Sequence, residues 1–470
     1  MTDNLRHLLG RAVDHAVAYR AALGENSGKP EADYYQMREA LKSPLPEVGN
    51  APEAVLEELI GRISPGLMPM AGPRFFGFVI GASHPAGVAA DWMVTAWGQN
   101  AGYHTPTPGA AAIEEVAEAW LLDILDLPRE SSIGFVTGAT VANAVGLAAA
   151  RTRVLLDVGW DVDADGLFGA PEVAVLVGDD AHSSVFSALQ MLGFGYRRVH
   201  RIATDDQGRM RPEALATVLE TLSGPKIVIA QAGQINTGAY DRFTEIVAIA
   251  HAHGAWVHVD GAFGLWARAT ASHKHLTEGI EGADSWVTDG HKWLQVPYDS
   301  GFAIVRDREA HQRAMTQWGS YLPSINPGDR VPSAFVPELS RRARGIPVWA
   351  MLKTLGRDGV AALVERHCAY ARRFAERLDA EPGINLINIV TINQVIVNFG
   401  DGDAESRKAS TEAVIARVQQ EGICFVGGAA WHGEWVLRIS VSSGETAEQD
   451  VDRSADAIIN AWRAVQAAGN

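Results

Sequence analysis

The chain has 470 residues, of which 47% are apolar and 20% charged, and its 40 basic and 56 acidic residues give a net charge of −16. This length and composition predict a globular protein of more than one domain and exclude a disordered, collagen-like or coiled-coil chain. The acidic balance argues against nucleic acid or an anionic membrane as a partner.

Residues 1–72 predict a polar amphipathic helix followed by a connector that contains proline and glycine. We expect this N-terminal arm to pack on the rest of the chain or on a partner subunit. Its first residues lack the apolar core of a secretion signal, and no stretch reaches the roughly 18 apolar residues of a membrane span. The two cysteines are too few for a disulfide framework or a cysteine zinc site. We therefore expect a cytoplasmic protein without a membrane segment or a metal site.

Residues 73–322 predict a large domain in which short apolar runs alternate with helical stretches. Most of the runs are continuously apolar, which is typical of strands covered by helices on both faces. The predicted strands are 133–136, 173–177, 227–230, 256–259, 285–288 and 302–305, with helices at 184–192 and 243–253. This pattern predicts an α/β fold with a mostly parallel sheet.

The last part of the chain predicts a loop and a second, smaller domain. A polar segment rich in proline lies within residues 323–345, where we expect a mobile loop. Residues 346–470 predict a long helix at 348–378 and two strands, 395–399 and 436–440, between helices. This order of elements predicts a small α+β domain at the C-terminus.

The string Asp289-Gly290-His291-Lys292-Trp293 directly follows an apolar strand. A single lysine at such a place is most often a partly buried side chain whose ammonium reaches water. The alternative is a desolvated lysine that forms a Schiff base with a carbonyl group. The string by itself leaves both interpretations open.

Two more strand ends carry groups that favour the second interpretation. Asp260 ends a buried strand, where it is either a turn residue or a partner for a ligand at the sheet edge. Gly138, Ala139 and Thr140 lie between a strand and a helix. The free N–H groups of such a helix start suit a phosphate, although turns of this kind are common.

Together these motifs resemble the fold-type-I enzymes that use pyridoxal 5'-phosphate (PLP), and in particular the group II amino-acid decarboxylases. That family includes aromatic amino-acid, glutamate and diaminobutyrate decarboxylases, with sphingosine-phosphate lyase as a relative. The resemblance extends from about Pro73 to Val451 and includes the motifs 180–184, 283–285 and 435–438. It implies an aspartate-aminotransferase-like PLP-transferase fold, PLP as cofactor, an amino acid as substrate and a homodimer.

The resemblance also implies a role for each motif residue. Lys292 would form the Schiff base, and Asp260 would hold the pyridine nitrogen, which makes PLP an electron sink. His182 would stack on one ring face and Ala262 would cover the other. The phosphate would be held by Gly138, Ala139, Thr140 and His291.

Five further residues are candidates for contacts with cofactor or substrate. Asn236 lies where the family has a hydroxyl near the cofactor's phenolic oxygen, although a plain turn explains it equally well. Arg438 suits the substrate's α-carboxylate, or is a surface ion pair. Phe78, Tyr103 and His104 are candidate pocket residues, the last two across a dimer interface, and core or interface packing is the alternative.

One departure from the family pattern affects the predicted reaction. The family's loop carries a tyrosine thought to protonate the α-carbon, whereas residues 323–337 contain none and place Ser333 and Phe335 near that position. The leading prediction is a PLP-dependent carbon–carbon lyase that decarboxylates an L-amino acid. The alternatives are a PLP-dependent aldolase, a decarboxylative oxidative deaminase that forms an aldehyde, and a non-enzymatic PLP-binding regulator, which the acidic charge disfavours.

Overall fold

The computed structural model describes residues 2–25, 28–316 and 329–469. The chain begins with three helices, α1 (Thr2–Ala22), α2 (Tyr34–Leu41) and α3 (Pro52–Ile63). They attach to the rest of the chain at few points, one of which is the 2.8 Å hydrogen bond from Arg20 to the Ala82 carbonyl. The apolar side chains of these helices are largely exposed.

Helices α4 (Pro85–Trp97) and α5 (Pro108–Ile124) lead into a seven-stranded sheet. Its strands are β1 (Ser132–Val136), β2 (Ala174–Gly178), β3 (His200–Ile202), β4 (Lys226–Gln231), β5 (Ala255–Asp260), β6 (Ser285–Asp289) and β7 (Gly301–Val305). Their order is β1-β7-β6-β5-β4-β2-β3, and β7 alone runs against the others. The mostly parallel sheet that the sequence predicts is confirmed.

Helices cover both faces of this sheet. They are α6 (Ala139–Leu156), α7 (Val162–Asp165), α8 (Ser183–Met191), α9 (Pro212–Leu219), α10 (Phe243–Ala252) and α11 (Arg308–Met315). Strands β1, β2 and β4 to β7 are buried along their whole length, which is why their sequences are continuously apolar. All six predicted strands are present, and the short edge strand β3 was not predicted.

The C-terminal part begins with α12 (Gly345–Asp379), which deviates from helical geometry at Gly356, where φ is 63°. A four-stranded antiparallel sheet follows in the order β10-β11-β9-β8. Its elements are β8 (Ile384–Leu386), β9 (Gln394–Phe399), α13 (Ala404–Glu421), β10 (Gly427–Trp431), β11 (Glu434–Ser440) and α14 (Glu448–Gly469). This sheet has its own apolar core, to which Phe76 from the N-terminal half also belongs.

Short 3-10 helices complete the fold at Ser64–Gly66, Gly264–Ala269, Lys274–Thr277, Ile280–Gly282 and Pro332–Phe335. None of the helices that the structure describes is both long and apolar enough to span a bilayer. The domain boundaries at residues 72, 322 and 345 stay a prediction. Phe76 packs in the apolar core of the small sheet. A segment that precedes the large sheet in sequence therefore contacts the C-terminal part of the chain.

The predicted mobile loop, 323–345, is described only from residue 329 onward, and 323–328 lie outside the described residues. The described part is packed rather than exposed: Ser333 is 4% exposed and Phe335 is fully buried. Buried arginines fix it, because Arg330 pairs with Glu118 and Arg341 lies 2.6 Å from Glu114. Buried ion pairs thus join residues 329–345 to α5, and the mobility of this loop stays a prediction.

Candidate active site

Three strands end at the same edge of the large sheet, and each delivers predicted site residues there. Strands β1, β5 and β6 run in the same direction, so their carboxyl ends lie together. Asp260 ends β5 and Asp289 ends β6, while Gly138 follows β1. Residues about 120 positions apart in sequence are thereby brought to one place.

Asp260 is a buried carboxylate, 4% exposed. Its Oδ1 accepts a hydrogen bond from the backbone N–H of Ala262 at 3.2 Å, and its Oδ2 accepts one from the amide of Asn143 at 3.3 Å. Among the described residues no lysine, arginine or histidine forms an ion pair with it. A buried carboxylate without a cation is costly, and a protonated ring nitrogen would offset its charge.

The amine of Lys292 is held by a neighbouring acid. Its Nζ lies 2.9 Å from Oδ2 of Asp289, and the two side chains are 18% and 2% exposed. The other oxygen of Asp289 is buried and has no hydrogen-bond partner among the described residues. Sequence analysis missed Asp289, although an acid at a strand end is the same signal that identified Asp260.

The start of α6 forms an open cradle. Its N-cap residue, Gly138, provides no side-chain cap, so the first N–H groups of the helix have no side-chain acceptor there. A Cβ atom at Gly138 would lie 3.1 Å from the ring of His291, so glycine keeps the cradle open. Ala139 is buried and Thr140 is exposed at its rim.

His291 closes the cradle as a neutral donor. Its Nδ1 accepts a hydrogen bond from the backbone N–H of Ser300 at 3.2 Å, which leaves the ring proton on Nε2. Burial lowers the pKa of His291, so the ring is neutral at neutral pH. Free helix N–H groups, this N–H and the Thr140 hydroxyl form a donor set that fits a phosphate. Asp289 lies beside the cradle, where Lys292 offsets its charge.

His182 is the N-cap residue of α8 and is open to solvent. Desolvation on its packed side lowers its pKa, the charge of Asp260 raises it, and the charges of Lys292 and Arg438 lower it. Hydrogen bonds through Ser184 and Asn143 join the ring to Asp260, so the structure brings His182 and Asp260 together. The roles of these residues stay a prediction.

Arg438 is a largely withdrawn guanidinium on β11. Its Nη1 donates to Oδ1 of Asn236 at 3.3 Å, and among the described residues no carboxylate pairs with it. Burial lowers its pKa, as expected for a cation removed from water. The surface ion pair considered as an alternative is not formed within the described chain. The Asn236 backbone N–H donates to Gln234 Oε1 at 2.5 Å. This bond fixes the turn whose Asn236 side chain contacts Arg438.

The remaining candidates are Phe78, Tyr103 and His104. Phe78 is 59% exposed and has a φ of 55°. Tyr103 packs with Val331 and Phe335, and Nε2 of His104 lies 3.5 Å from Asp329. The described contacts of Tyr103 and His104 are with the segment after residue 328. Their role at a subunit interface stays a prediction.

Gln295, three residues after the lysine, is a support that the sequence did not reveal. It is 2% exposed, and its Nε2 donates to the carbonyls of Lys292, Trp293 and Ser442 at 3.1, 3.1 and 2.8 Å. Its Oε1 accepts from the N–H of Ala82 at 2.7 Å. One side chain thus fixes the lysine turn to the C-terminal half, through partners that are distant in sequence.

The chain was compared with known proteins. A family model described as "Pyridoxal-dependent decarboxylase conserved domain" matches residues 35–399. The aromatic-L-amino-acid decarboxylase of Bacillus atrophaeus is 29% identical over 361 residues, which are 75% of this chain and 73% of that protein. The L-2,4-diaminobutyrate decarboxylase of Rhizobium meliloti (strain 1021) is 29% identical over 436 residues, 88% and 83% of the two chains.

A solved structure of Oryza sativa TDC with PLP and tryptamine shares the fold, with a TM-score of 0.93 at 22% identity, covering 99% of this chain and 98% of that chain. The predicted fold class, the cofactor PLP and the enzyme class are thereby confirmed, and the regulator alternative is set aside. Since the family model matches well over half of its length, the chain belongs to the pyridoxal-dependent decarboxylase family.

Proposed function

We propose that this protein removes the α-carboxylate of an L-amino acid as CO2 and releases the amine, acting as a homodimer in the cytoplasm. One observation carries the proposal. Asp260 and Arg438 are withdrawn from water around the same space as Lys292, and neither has a charged partner among the described residues. Opposite charges held apart in this way suit a ligand with a cationic ring and a carboxylate.

Pyridoxal phosphate, when bound, supplies a carbonyl group for the substrate amine and a ring that withdraws electrons from the α-carbon. The cradle at Gly138, Ala139 and Thr140, with the Nε2–H of His291, binds the phosphate. Lys292 provides the amine that holds the carbonyl carbon, and Asp289 orients that amine from 2.9 Å.

Four side chains would act around the cofactor and the substrate. Asp260 would hold a proton on the ring nitrogen, because that proton would balance its buried charge. His182 and Ala262 would cover the ring. Arg438 would orient the substrate carboxylate, and Asn236 orients Arg438 through their 3.3 Å hydrogen bond. Held in one orientation beside the electron-withdrawing cofactor, this carboxylate would be the group that is lost as CO2.

A panel of amino acids incubated with the reconstituted protein tests this function. Basic, acidic and aromatic amino acids are supplied under air and under nitrogen, and CO2, amine, aldehyde and peroxide are measured in parallel. We expect one side-chain class to yield CO2 and amine in equal amounts. Absence of CO2 from every amino acid would contradict the proposal, and cleavage of β-hydroxy amino acids instead would establish an aldolase.

A second candidate is decarboxylative oxidative deamination. It is favoured by the absence of a tyrosine from residues 323–337 and by the burial of Ser333, whose N–H is bound to the Gly102 carbonyl at 3.1 Å. In this reaction the amino acid, O2 and water give an aldehyde, CO2, ammonia and hydrogen peroxide, so O2 accepts the two electrons. The same panel distinguishes it, because aldehyde and peroxide would appear only under air.

Replacing Arg438 with glutamine should raise KM about 10- to 100-fold, because a hydrogen bond to a charged group contributes roughly 1.5–3 kcal/mol. Steady-state kinetics with the substrate found in the panel measure this change. Arg407 gives a matched control, since it pairs with Glu434 of the same sheet and R407Q should leave KM unchanged. An unaltered KM in R438Q would show that the carboxylate is bound elsewhere.

We also propose that the exposed face of the N-terminal arm is a dimer interface. Along α1, Leu5, Leu9, Val13 and Val17 repeat every four residues and are 56%, 54%, 39% and 63% exposed. An exposed apolar stripe of this kind indicates a surface that another subunit covers. The buried free thiols of Cys368 and Cys424 support a reducing compartment, as in the cytoplasm.

Sedimentation velocity should therefore show a dimer at assay concentrations. Replacing Leu9 with aspartate should weaken the dimer about tenfold or more, since it puts a charge where an apolar side chain is buried. The control is H7D, which places the same charge on the opposite side of α1, where His7 is exposed. An active monomer in the unaltered protein would overturn the proposal.

A further inference from the structure

A continuous line of hydrogen bonds runs behind the site through residues to which no role has been given. Asn143 of α6 is fully buried, and its Nδ2 lies 3.3 Å from Asp260 Oδ2 and 3.3 Å from Ser184 Oγ. Its Oδ1 lies 2.8 Å from Nε2 of His258, which is also fully buried. On the far side, Nδ1 of His258 lies 2.8 Å from Ser285 Oγ.

The carboxylate end of this line fixes the direction of its hydrogen bonds. The Asp260 carboxylate can only accept, so the amide nitrogen of Asn143 faces it and the amide oxygen accepts from Nε2–H of His258. Burial lowers the pKa of His258 to about 4, which keeps the ring neutral, so its Nδ1 accepts from the Ser285 hydroxyl. The indole N–H of Trp256 donates to the same hydroxyl at 2.9 Å and leaves the serine hydrogen free for this bond.

A second branch leads from Asn143 to His182. One amide hydrogen of Asn143 points to Ser184 Oγ, so the hydroxyl is free to donate to His182 Nδ1, 2.8 Å away. The backbone N–H of Ser184 also donates to that Nδ1, at 3.2 Å. Since Nδ1 accepts twice, the proton of the neutral ring lies on Nε2.

We propose that Asn143 is a positioning residue that couples Asp260 to His182: its single amide group holds the carboxylate and, through Ser184, keeps the imidazole in its Nε2–H form. The proposal rests on the proposed function for its catalytic meaning, since His182 is placed there against the cofactor ring to which the substrate is joined. A neutral ring with an N–H can donate to a substrate carboxylate, whereas a ring with its proton on Nδ1 would present a lone pair and repel it.

The charges that face His182 come from three directions. Asp260 is at the end of β5, Asp289 ends β6 and Lys292 follows it, and Arg438 is on β11. The two cations and the two carboxylates oppose each other in their effect on the pKa of the ring, and desolvation is the largest cause of its lowering. The hydrogen bonds to Nδ1 act in the same direction as desolvation, because a protonated ring could not accept them.

Loss of the Asn143 amide should therefore make His182 easier to protonate. Without the N–H from Asn143, the Ser184 hydroxyl can turn and accept a hydrogen from Nδ1, which stabilises the charged ring. We expect N143A to shift the titration midpoint of His182 upward by about half a pH unit or more. S184A, which keeps the contact between Asn143 and Asp260, should shift it in the same direction by a smaller amount.

The measurement is a pH titration by NMR of the full-length, cofactor-free protein with 15N-labelled histidine rings, in which H182Q identifies the signal. The unaltered protein should show the proton on Nε2. Asn393 gives a matched control: it is fully buried too and donates to the Val441 carbonyl at 3.0 Å, so N393A should cost stability without moving the midpoint.

Two results would overturn the proposal: a proton on Nδ1 in the unaltered protein, or an unchanged midpoint in the variants. If N143A does not fold, S184A alone tests the proposal. Ser184 lies in the first turn of α8, and S184A removes the hydroxyl that links Asn143 to His182. The titration is read without cofactor or substrate. It therefore remains decisive even if the amino-acid panel yields no CO2, and the two failures are distinguishable.

Discussion

Replacing Lys292 with alanine should abolish the visible absorption of the reconstituted protein and lower kcat by about 10²- to 10⁴-fold. The physical reason is the position of its amine, which lies 2.9 Å from Asp289 at a sheet edge with only 18% of the side chain exposed. Among the residues that the structure describes, no other lysine amine lies at this edge of the sheet and is equally withdrawn from water. Absorbance and a single-turnover assay measure both effects.

Colour rather than cofactor content is the decisive readout for K292A. The cradle at the start of α6 can still bind the phosphate when the lysine is absent, so some cofactor should remain bound. Lys226 is a matched control, because it is 7% exposed on the same sheet and its ammonium is bound by the carbonyls of Gly224 and His253. K226A should keep the absorption band. A borohydride-reducible lysine adduct that persists in K292A would contradict the assignment.

The strands of the large sheet that sequence analysis predicted are buried along their whole length. Strands β4 and β5 are covered on both faces, so every position is apolar or nearly so and the run is visible in the sequence. The strands that it missed are edge or short ones, β3 with three residues, β8 with three, and β10, which begins with two glycines. Edge strands face solvent on one side, and their mixed composition resembles that of loops.

The residues at strand ends were predictable for a related reason. Parallel strands bring their carboxyl ends to one edge, so the neighbourhood of Asp260 and Lys292 follows from topology alone. The supports of these residues were not predictable, because they depend on contacts between distant segments. Gln295 binds Ser442, and Asn143 binds both Ser184 and His258, which no local pattern indicates.

Replacing Asp260 with asparagine should lower kcat about 10²- to 10³-fold while the protein keeps its cofactor, an effect comparable to the loss of one preorganised electrostatic group. The amide has nearly the same shape as the carboxylate, so the hydrogen bond from the Ala262 N–H can persist. The amide cannot balance a proton on the ring nitrogen, and the electron flow away from the α-carbon is then weaker. Cofactor content, absorbance and kcat are measured on the same preparation.

The control for D260N is another buried carboxylate, which lies in the loop between β4 and α10. Asp241 is 6% exposed and accepts hydrogen bonds from the N–H groups of Gln231 and Met210, each at 2.7 Å, and desolvation raises its pKa to about 6. Its carboxylate accepts two backbone hydrogen bonds and has no assigned role beside the ring, so D241N should change thermal stability and leave kcat near that of the unaltered protein. Equal kcat losses in the two variants would mean that burial, and not the position beside the ring, explains the result. Near-normal turnover in D260N would leave Asp260 as a turn residue whose charge the reaction does not use.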